Sequence, residues 1–273
     1  MVNQIFEKMI AEIRECINEV ANDSALLYSG GIDSTVLFYI IKDIIKDNNI
    51  PVYYIETGLN RGNALDNATQ FCKKYDINLN VVDITERTYT ALNSIADYNK
   101  RRELLANIFL VTTREIAYGK TVVDATIKDD SRALLIETKE FKNIQPVKSL
   151  SKNDIFGLSK YLQIDKIYKA PLPFPSGGYS RKIMGEFNKK NLEMIKQVDE
   201  AFNNEISLKY GQVRFCDVIL WHTLINNFIF RVSIDDKADL VALEKIIAKI
   251  NKKFVFIDKC LIDVSANIKK FYT

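Results

Sequence analysis

Apolar positions recur at two periods along this chain, and each change of period marks an element. Between residues 3 and 21, Ile5, Met9, Ile10, Ile13, Ile17 and Val20 fall on one face of a 3.6-residue repeat, which predicts an amphipathic helix. Asn22-Asp23 interrupts it, and the short apolar run Ser24–Tyr28 predicts a strand. A helical pattern follows from Asp33 to Lys46, then the turn Asp47-Asn48-Asn49. Pro51–Ile55 reads as a second strand ending at Glu56-Thr57-Gly58, residues 63–75 as a helix, and Leu79–Val82 as a third strand. Strands alternating with helices predict a parallel sheet covered on both faces. Ligands of such sheets lie beyond the carboxyl ends of the strands, where Ser29 and Thr57-Gly58 fall. Residues 86–117 read as helical, Thr121–Ala125 as a strand running into the polar stretch Thr126–Asp130, and Ile144–Val147 as a short strand. Ser151 to Leu162 reads as a helix with Ser151 or Asn153 as its N-cap.

The pattern changes after residue 170. Three of the five prolines fall in Pro171–Gly178, which reads as a rigid boundary loop. Beyond it, residues 188–206 predict a long helix, 212–221 and 228–234 strands, 237–251 a helix and 254–262 a strand. Strands returning through hairpins and one helix suggest an α+β arrangement. The expected fold class is therefore α/β: a parallel doubly wound sheet over residues 1–170, with a smaller C-terminal α+β domain over 171–273. No internal repeat or low-complexity segment is present.

Composition narrows this picture. A chain of 273 residues with 47% hydrophobic content can build a full core. Net charge is only +3, from 38 basic and 35 acidic residues, so no broad field for nucleic acid is expected. The four cysteines, Cys16, Cys72, Cys216 and Cys260, form no C-x-x-C pair, which argues against a zinc site and for reduced thiols in a cytoplasmic protein. The N-terminal pattern mixes acids and bases and is not a signal peptide, and no apolar run is long enough to span a bilayer.

The candidate chemistry sits at Ser29-Gly30-Gly31-Ile32-Asp33-Ser34-Thr35, between the first strand and its helix. Unpaired N–H groups at a helix start converge on an anion. Gly30 and Gly31 let the backbone approach it, and Ser29, Ser34 and Thr35 add hydroxyl donors. Asp33 in the first turn would repel a phosphate unless a divalent cation lies between them. The segment is not a G-x-x-x-x-G-K-[ST] loop, since the lysine is missing.

S-G-G-x-D-S instead resembles the pyrophosphate loop of the PP-loop ATP pyrophosphatases, an adenine nucleotide alpha-hydrolase-like family. Within that family the chain is similar to the ATP pyrophosphatase subunit of GMP synthase over nearly its whole length. Glu56-Thr57-Gly58-Leu59-Asn60-Arg61 resembles D-T-G-L-x-R, and Asn99–Glu103 stands at a basic K-R-K helix. Ala125-Thr126-Ile127 resembles Q-G-T-I, and Val147–Asp154 resembles P-L-R-x-L-x-K-D. Pro173-Phe174-Pro175 through Arg181, Gly185 and Glu186 resembles P-F-P-G-P-G-L-x-x-R-x-L-G-E.

The resemblance implies a PP-loop domain over residues 1–170 and a GMP-synthase-like acceptor and dimerisation domain over 171–273. It implies binding of ATP by Ser29, Gly30, Gly31, Asp33, Ser34, Thr35, Ile55, Thr57, Gly58, Arg102 and Thr126, with Ile55, Glu56 and Thr57 beside the adenine. Mg²⁺ would be held by Asp33 with Asp129 or Asp130, and Asp33, Lys152 and Arg181 would serve catalysis. ATP would adenylate a carbonyl or carboxyl oxygen of a small-molecule acceptor, and ammonia would displace AMP. A separate glutaminase is then the implied partner, or a sulfur-donor protein if sulfur is inserted instead. A homodimer is implied; neither nucleic acid nor a membrane is.

Three departures bear on the acceptor. Ser176-Gly177-Gly178-Tyr179 replaces P-G-P-G-L, and the lid carrying paired histidines shrinks to a short link between Ile136-Glu137-Thr138 and Ile144. The C-terminal K-P-P-A-T-I-E-W-E has at best Ala266–Phe271 in its place. The sequence therefore keeps the ATP half of the pattern and rebuilds the acceptor half. Asp124–Arg132 also resembles the D-G-T-N-x-D-D segment of sulfur-inserting relatives, and a non-catalytic ATP-binding subunit is the remaining alternative.

Overall fold

The computed structural model describes residues 2–128, 142–164, 177–209, 217–222, 228–234 and 240–264. In chain order these form α1 (Val2–Asn18), β1 (Ser24–Leu27), α2 (Ile32–Asp47), β2 (Val52–Glu56), α3 (Ala64–Lys74), β3 (Leu79–Asp83), α4 (Thr85–Leu92), α5 (Tyr98–Ile116), β4 (Thr121–Val123), β5 (Asn143–Ile144) and α6 (Lys152–Tyr161). They continue with β6 (Ile183–Met184), α7 (Lys189–Lys209), β7 (Asp217–His222), β8 (Phe228–Ile234), α8 (Leu240–Lys253) and β9 (Ile257–Val264). The chain divides into two compact units, one of residues 1–85 and 106–170, the other of 86–105 and 171–273.

In the first unit five parallel strands lie in the order β3-β2-β1-β4-β5. Alternation along the inner strands covers both faces. Leu26, Val52, Tyr54 and Val123 join one apolar cluster with α1, α2, α3 and α6. Ala25, Leu27, Ile55 and Val122 join another with Ile108, Phe109 and Ile116 of α5. All four residues of β1 are buried, as expected of a central strand sandwiched between helix layers. The register Leu26↔Val123 puts the end of β4 beside the end of β1, where the glycine turn begins, while Leu27↔Tyr53 lets β2 run on past it to Glu56.

Local chemistry fixes the helix ends. Asn48 closes α2 by donating its Nδ2 to Ile44 O at 3.0 Å, and Asn49 follows with φ 50°. Ser151 caps α6 reciprocally: its Oγ accepts from Asp154 N, and Asp154 Oδ2 accepts from Ser151 N at 2.8 Å. A Cβ on Gly157 would come within 2.7 Å of Phe6 Cζ, so α1 and α6 meet at a residue with no side chain.

In the second unit the sheet runs β6-β7-β8-β9, with β7 and β8 antiparallel and the outer pairs parallel. Leu192, Ile195, Val198 and Phe202 of α7 and Leu243, Ile246, Ile247 and Ile250 of α8 are buried at helical spacing. The molecule thus has the α/β architecture with an α+β second part.

Some details differ from the sequence pattern. The helix expected over 86–117 is two helices, because Asn93 ends the first and Ser94 takes φ 63°. Asp97 Oδ1 accepts from Lys100 N at 2.6 Å to start the second. Among the described strands only β7 and β8 make a hairpin; β6 and β9 pair in parallel after helical crossovers, and β6 has too few residues to show a period. Residues 171–176 of the expected boundary loop Pro171–Gly178, the shortened link near Ile136, and Ala266–Phe271 lie outside the described residues.

Candidate active site

The turn between β1 and α2 is held by its own hydroxyls. Ser34 Oγ donates to Gly31 O at 3.0 Å and lies 3.0 Å from Ser29 Oγ, which also accepts from Gly31 N at 3.3 Å. Gly30 takes φ 70°, and a Cβ there would meet Ala64 O at 3.2 Å and Ala68 Cβ at 3.3 Å. Left-handed backbone and close approach to α3 both require glycine. Gly31 is the N-cap of α2 with φ −73°, and no side chain caps the helix there. The first turn of α2 thus keeps N–H groups available to an anion.

Thr35 faces the other way. It is fully buried, its Oγ1 lies 3.2 Å from Tyr28 Oη, and its N–H donates to Gly31 O. It braces the turn from beneath rather than presenting its hydroxyl at the open side. Tyr28 is itself buried against Phe38 and Phe71, with ring centroids 5.1 and 6.2 Å away. A tyrosine ending an apolar strand reads as core, and only the structure reveals its bond to the turn.

Asp33 is met by Lys152, the first residue of α6. Lys152 Nζ donates to Asp33 Oδ1 at 2.8 Å and Oδ2 at 2.7 Å, with the two side chains 35% and 21% exposed. Residues 119 positions apart are brought together because α2 and α6 pack side by side. Phe156, one turn along α6, lies with its ring 5.9 Å from the same ammonium.

The other strand ends add turns built on carboxylate and hydroxyl acceptors. After β2, Glu56 Oε1 accepts from Gly58 N at 2.7 Å and Thr57 Oγ1 from Leu59 N at 3.2 Å, while Ile55 is buried in the core. After β4, the buried Asp124 accepts from Thr126 N at 2.7 Å and from Gln145 Nε2 at 3.3 Å. The sequence puts Asp124 in a resembling segment without showing this role; D-x-T after a strand is the signal for such a turn.

Of the residues singled out from sequence, Ser29, Gly30, Gly31, Asp33, Ser34, Ile55, Thr57, Gly58, Thr126 and Lys152 lie at the carboxyl ends of the sheet or at the helix ends above them. Asp129 and Asp130 lie outside the described residues. Among the described residues no three His, Cys, Asp or Glu side chains gather as a metal cage. One carboxylate at a phosphate loop still suits Mg²⁺, which takes one or two carboxylates plus phosphate oxygens and water. Cys72 is buried in the core, and burial pushes its thiol up to about 12, so it is no nucleophile. Cys216 lies outside the described residues.

Arg102 and Arg181 belong to the second unit. There the buried arginine is Arg101, whose guanidinium donates to the carbonyls of Ile95 (2.8 Å), Gly185 (2.6 Å) and Ile183 (2.6 Å). Arg181 closes a 3₁₀ turn over Gly178–Arg181, with its guanidinium 5.8 Å from the centre of the Tyr98 ring. Its neighbour Lys182 is buried and paired at 2.6 Å with buried Asp199, which also accepts from Tyr179 Oη at 3.1 Å.

The sheet order, the uncapped glycine turn and the acid–base pair beside it give a parallel α/β domain whose first strand–helix turn is open to an anion. Residues 23–128 match the description of the phosphoadenosine phosphosulfate reductase domain. Among curated proteins, a glutamine-hydrolysing GMP synthase of Campylobacter fetus is 28% identical over 225 residues, 73% of this chain and 43% of that protein. One subunit of a glutamine-hydrolysing GMP synthase from Methanocella arvoryzae is 26% identical over 221 residues, 75% of this chain and 70% of that subunit. Against the GMP synthases matched first, this chain spans between 41% and 43% of their length. Among solved structures, an NH3-dependent NAD synthetase from Campylobacter jejuni aligns over 75% of this chain and 96% of its own, at 19% identity and a TM-score of 0.47. No helix among the described residues is long and apolar enough to cross a membrane.

Proposed function

We propose that this protein is an AMP-forming ATP pyrophosphatase. It adenylates a carbonyl or carboxyl oxygen of a small-molecule acceptor, in the manner of a GMP synthase acting on a purine nucleotide, and ammonia then displaces AMP. The observation that carries this reading is the turn at Ser29–Ser34: an uncapped α2 N-terminus, a left-handed Gly30 and Lys152 fixed beside it.

Attack on the α-phosphate drives negative charge onto the departing pyrophosphate, and fixed donors aimed at that charge lower the barrier. Ser29, Gly30, Gly31 and Ser34 with the first N–H groups of α2 would hold the pyrophosphate, while Thr35 braces them through Tyr28. Asp33 would take the Mg²⁺ that ATP carries, which Asp129 or Asp130 would complete, and Lys152 would face a phosphate. The turns at Ile55–Gly58 and Thr126 would border the nucleoside. Arg102 would help to neutralise phosphate, and Arg181 would meet the acceptor's anionic group. A GMP synthase built from separate subunits among the relatives supports a separate glutaminase partner, and the second unit would provide a dimer interface.

The test is product analysis with Mg-ATP, ammonia and a panel of purine nucleotides and carboxylic acids. Acceptor-dependent release of AMP and pyrophosphate supports the reading. ADP, or no consumption of ATP, overturns it. A thio product with sulfide in place of ammonia would move the protein to the sulfur-inserting branch, without Cys72 as carrier.

A further inference from the structure

The strand order singles out one crevice. From β1 the first sheet runs outward through β2 and β3 on one side and through β4 and β5 on the other, so the carboxyl ends of β1 and β4 flank the change of direction. Ligands of open parallel sheets lie in such a crevice. The glycine turn forms its β1 wall, and Asp124 with Gln145 builds its β4 wall. The register Val122↔Asn143 and Val123↔Ile144 brings Asp124 and Gln145 level on one face, and Asp124 N donates to Ile144 O at 3.1 Å. Asp124 is 7% exposed and both its oxygens are engaged, Oδ1 by Thr126 N at 2.7 Å and Oδ2 by Gln145 Nε2 at 3.3 Å. A carboxylate only accepts, so the Gln145 amide turns its nitrogen to Asp124 and its carbonyl away. Pro146 restricts the Gln145 backbone before it to extended conformations. Gln145 is half-buried, and among the described residues none donates to its Oε1. Because the amide lies over β4, it offers an oriented acceptor about one strand spacing, or about 4.8 Å, from β1.

We propose that Gln145 Oε1 accepts a hydrogen bond from a ribose hydroxyl of ATP, and that Gln145 thereby discriminates ribonucleotide from deoxyribonucleotide. This rests on the proposed function and adds a specificity-determining residue to it. A carbonyl oxygen repels a phosphate, so the group it meets is a donor. The donors on ATP are the amino group of the base and the ribose hydroxyls. The proposed function sets the base beside Ile55–Thr57 after β2, on the far side of β1 from β4, which leaves the hydroxyls. Thr126, held by the same Asp124 carboxylate, would border the same nucleoside.

The test is equilibrium binding of ATP, 2′-deoxy-ATP and 3′-deoxy-ATP, each with magnesium, to the wild type and to Gln145→Met, with an unchanged melting profile as the check on folding. Wild type should bind ATP about three- to tenfold tighter than the analogue that lacks the recognised hydroxyl, the worth of one neutral hydrogen bond. Gln145→Met keeps the length of the side chain without the acceptor, so the ratio of the two affinities should fall close to one. A merely structural role for Gln145 would weaken ATP and both analogues alike and leave that ratio at its wild-type value. A wild type with no preference between ATP and either analogue, or a Gln145→Met protein that keeps the wild-type ratio, overturns the inference, while binding of Mg-ATP itself still supports the proposed role of the glycine turn. If wild type does not bind Mg-ATP, the inference and the proposed function fail together.

Discussion

Gly30 and Gly31 are adjacent in sequence and look interchangeable, yet the structure sets them apart. Gly30 has φ +70°, and a Cβ there would lie 3.2 Å from Ala64 O and 3.3 Å from Ala68 Cβ. Alanine in that region of backbone costs about 1–2 kcal/mol. Stiffening of the unfolded chain returns about 0.4–1 kcal/mol, and displacing α3 or the turn takes that back. Gly30→Ala should therefore destabilise by about 1–2 kcal/mol, a fall in melting midpoint of about 2–8 °C for a unit of this size. Gly31 has φ −73°, and its Cβ would meet only the Ser29 hydroxyl at 3.3 Å. There the unfolded-state gain and the poorer N-cap of alanine nearly cancel, and the change should stay within about 0.5 kcal/mol. Thermal unfolding of both variants, with and without Mg-ATP, is the assay. Gly30→Ala should also lose the upward shift that Mg-ATP gives, because the displaced backbone carries the donors. Equal destabilisation by the two alanines, or a Gly30→Ala protein with wild-type stability and binding, would refute the reasoning.

Three further outcomes follow from buried or capping groups. Lys182 and Asp199 are each about 1% exposed, so Asp199→Leu alone should cost about 3–5 kcal/mol, whereas Lys182→Met with Asp199→Leu should recover most of that loss in a denaturant titration. Ser151→Ala should cost about 0.5–2 kcal/mol at neutral pH. Ser151 holds the Asp154 carboxyl below its usual 3.8, so this stability is present above that value and fades as pH falls through the lowered one. Thermal melts from pH 7 to pH 2 should show the penalty shrinking. The Cys72 thiol is raised from 9.0 to about 12, so its contribution is full below pH 9 and is lost above it, by about 1.4 kcal/mol per pH unit as the unfolded thiol ionises. Cys72→Ala should flatten that part of the stability profile, and Cys72 in the native protein should resist alkylation at pH 8.

The sheet was legible because its strands are short apolar runs bracketed by helical periods. The glycine turn was legible because its residues are consecutive. What could not be read were choices between neighbours. Arg101 and Arg102 are equivalent in a string, but one turns inward to three carbonyls and is 1% exposed, with burial lowering its pKa. Lys182 beside Arg181 reads as one more surface cation, and only α7 bringing Asp199 into the core shows otherwise. Thr35 belongs to the motif by sequence and to the core by position. The partner of Asp33 lies 119 residues away, a separation no local pattern encodes. Local sequence reports period and turn chemistry, whereas the side of an element that each polar group takes is decided by tertiary packing.

The second unit raises a different question, which the buried charges help answer. A buried ion pair contributes little net stability, because desolvation of both ions opposes their attraction. Lys182–Asp199 is therefore not explained by stability alone. Its geometry does one definite thing: with Tyr179 it ties both ends of the Gly178–Arg181 turn to α7, while Arg101 ties the two carbonyls beyond it. Gly177 and Gly178, both at positive φ, let the chain enter that turn. What remains outside the network is the Arg181 guanidinium, steadied on the Tyr98 ring. An apolar core could have given equal stability with more than one setting of the turn, whereas paired charges admit few. Hypothesis: the ion pair is retained to hold Arg181 in one orientation, as recognition of a planar or doubly charged acceptor group would need. In the Lys182→Met, Asp199→Leu protein, restored stability with a raised KM for the acceptor and an unchanged KM for ATP would support this. Restored stability with both constants unchanged would rule it out.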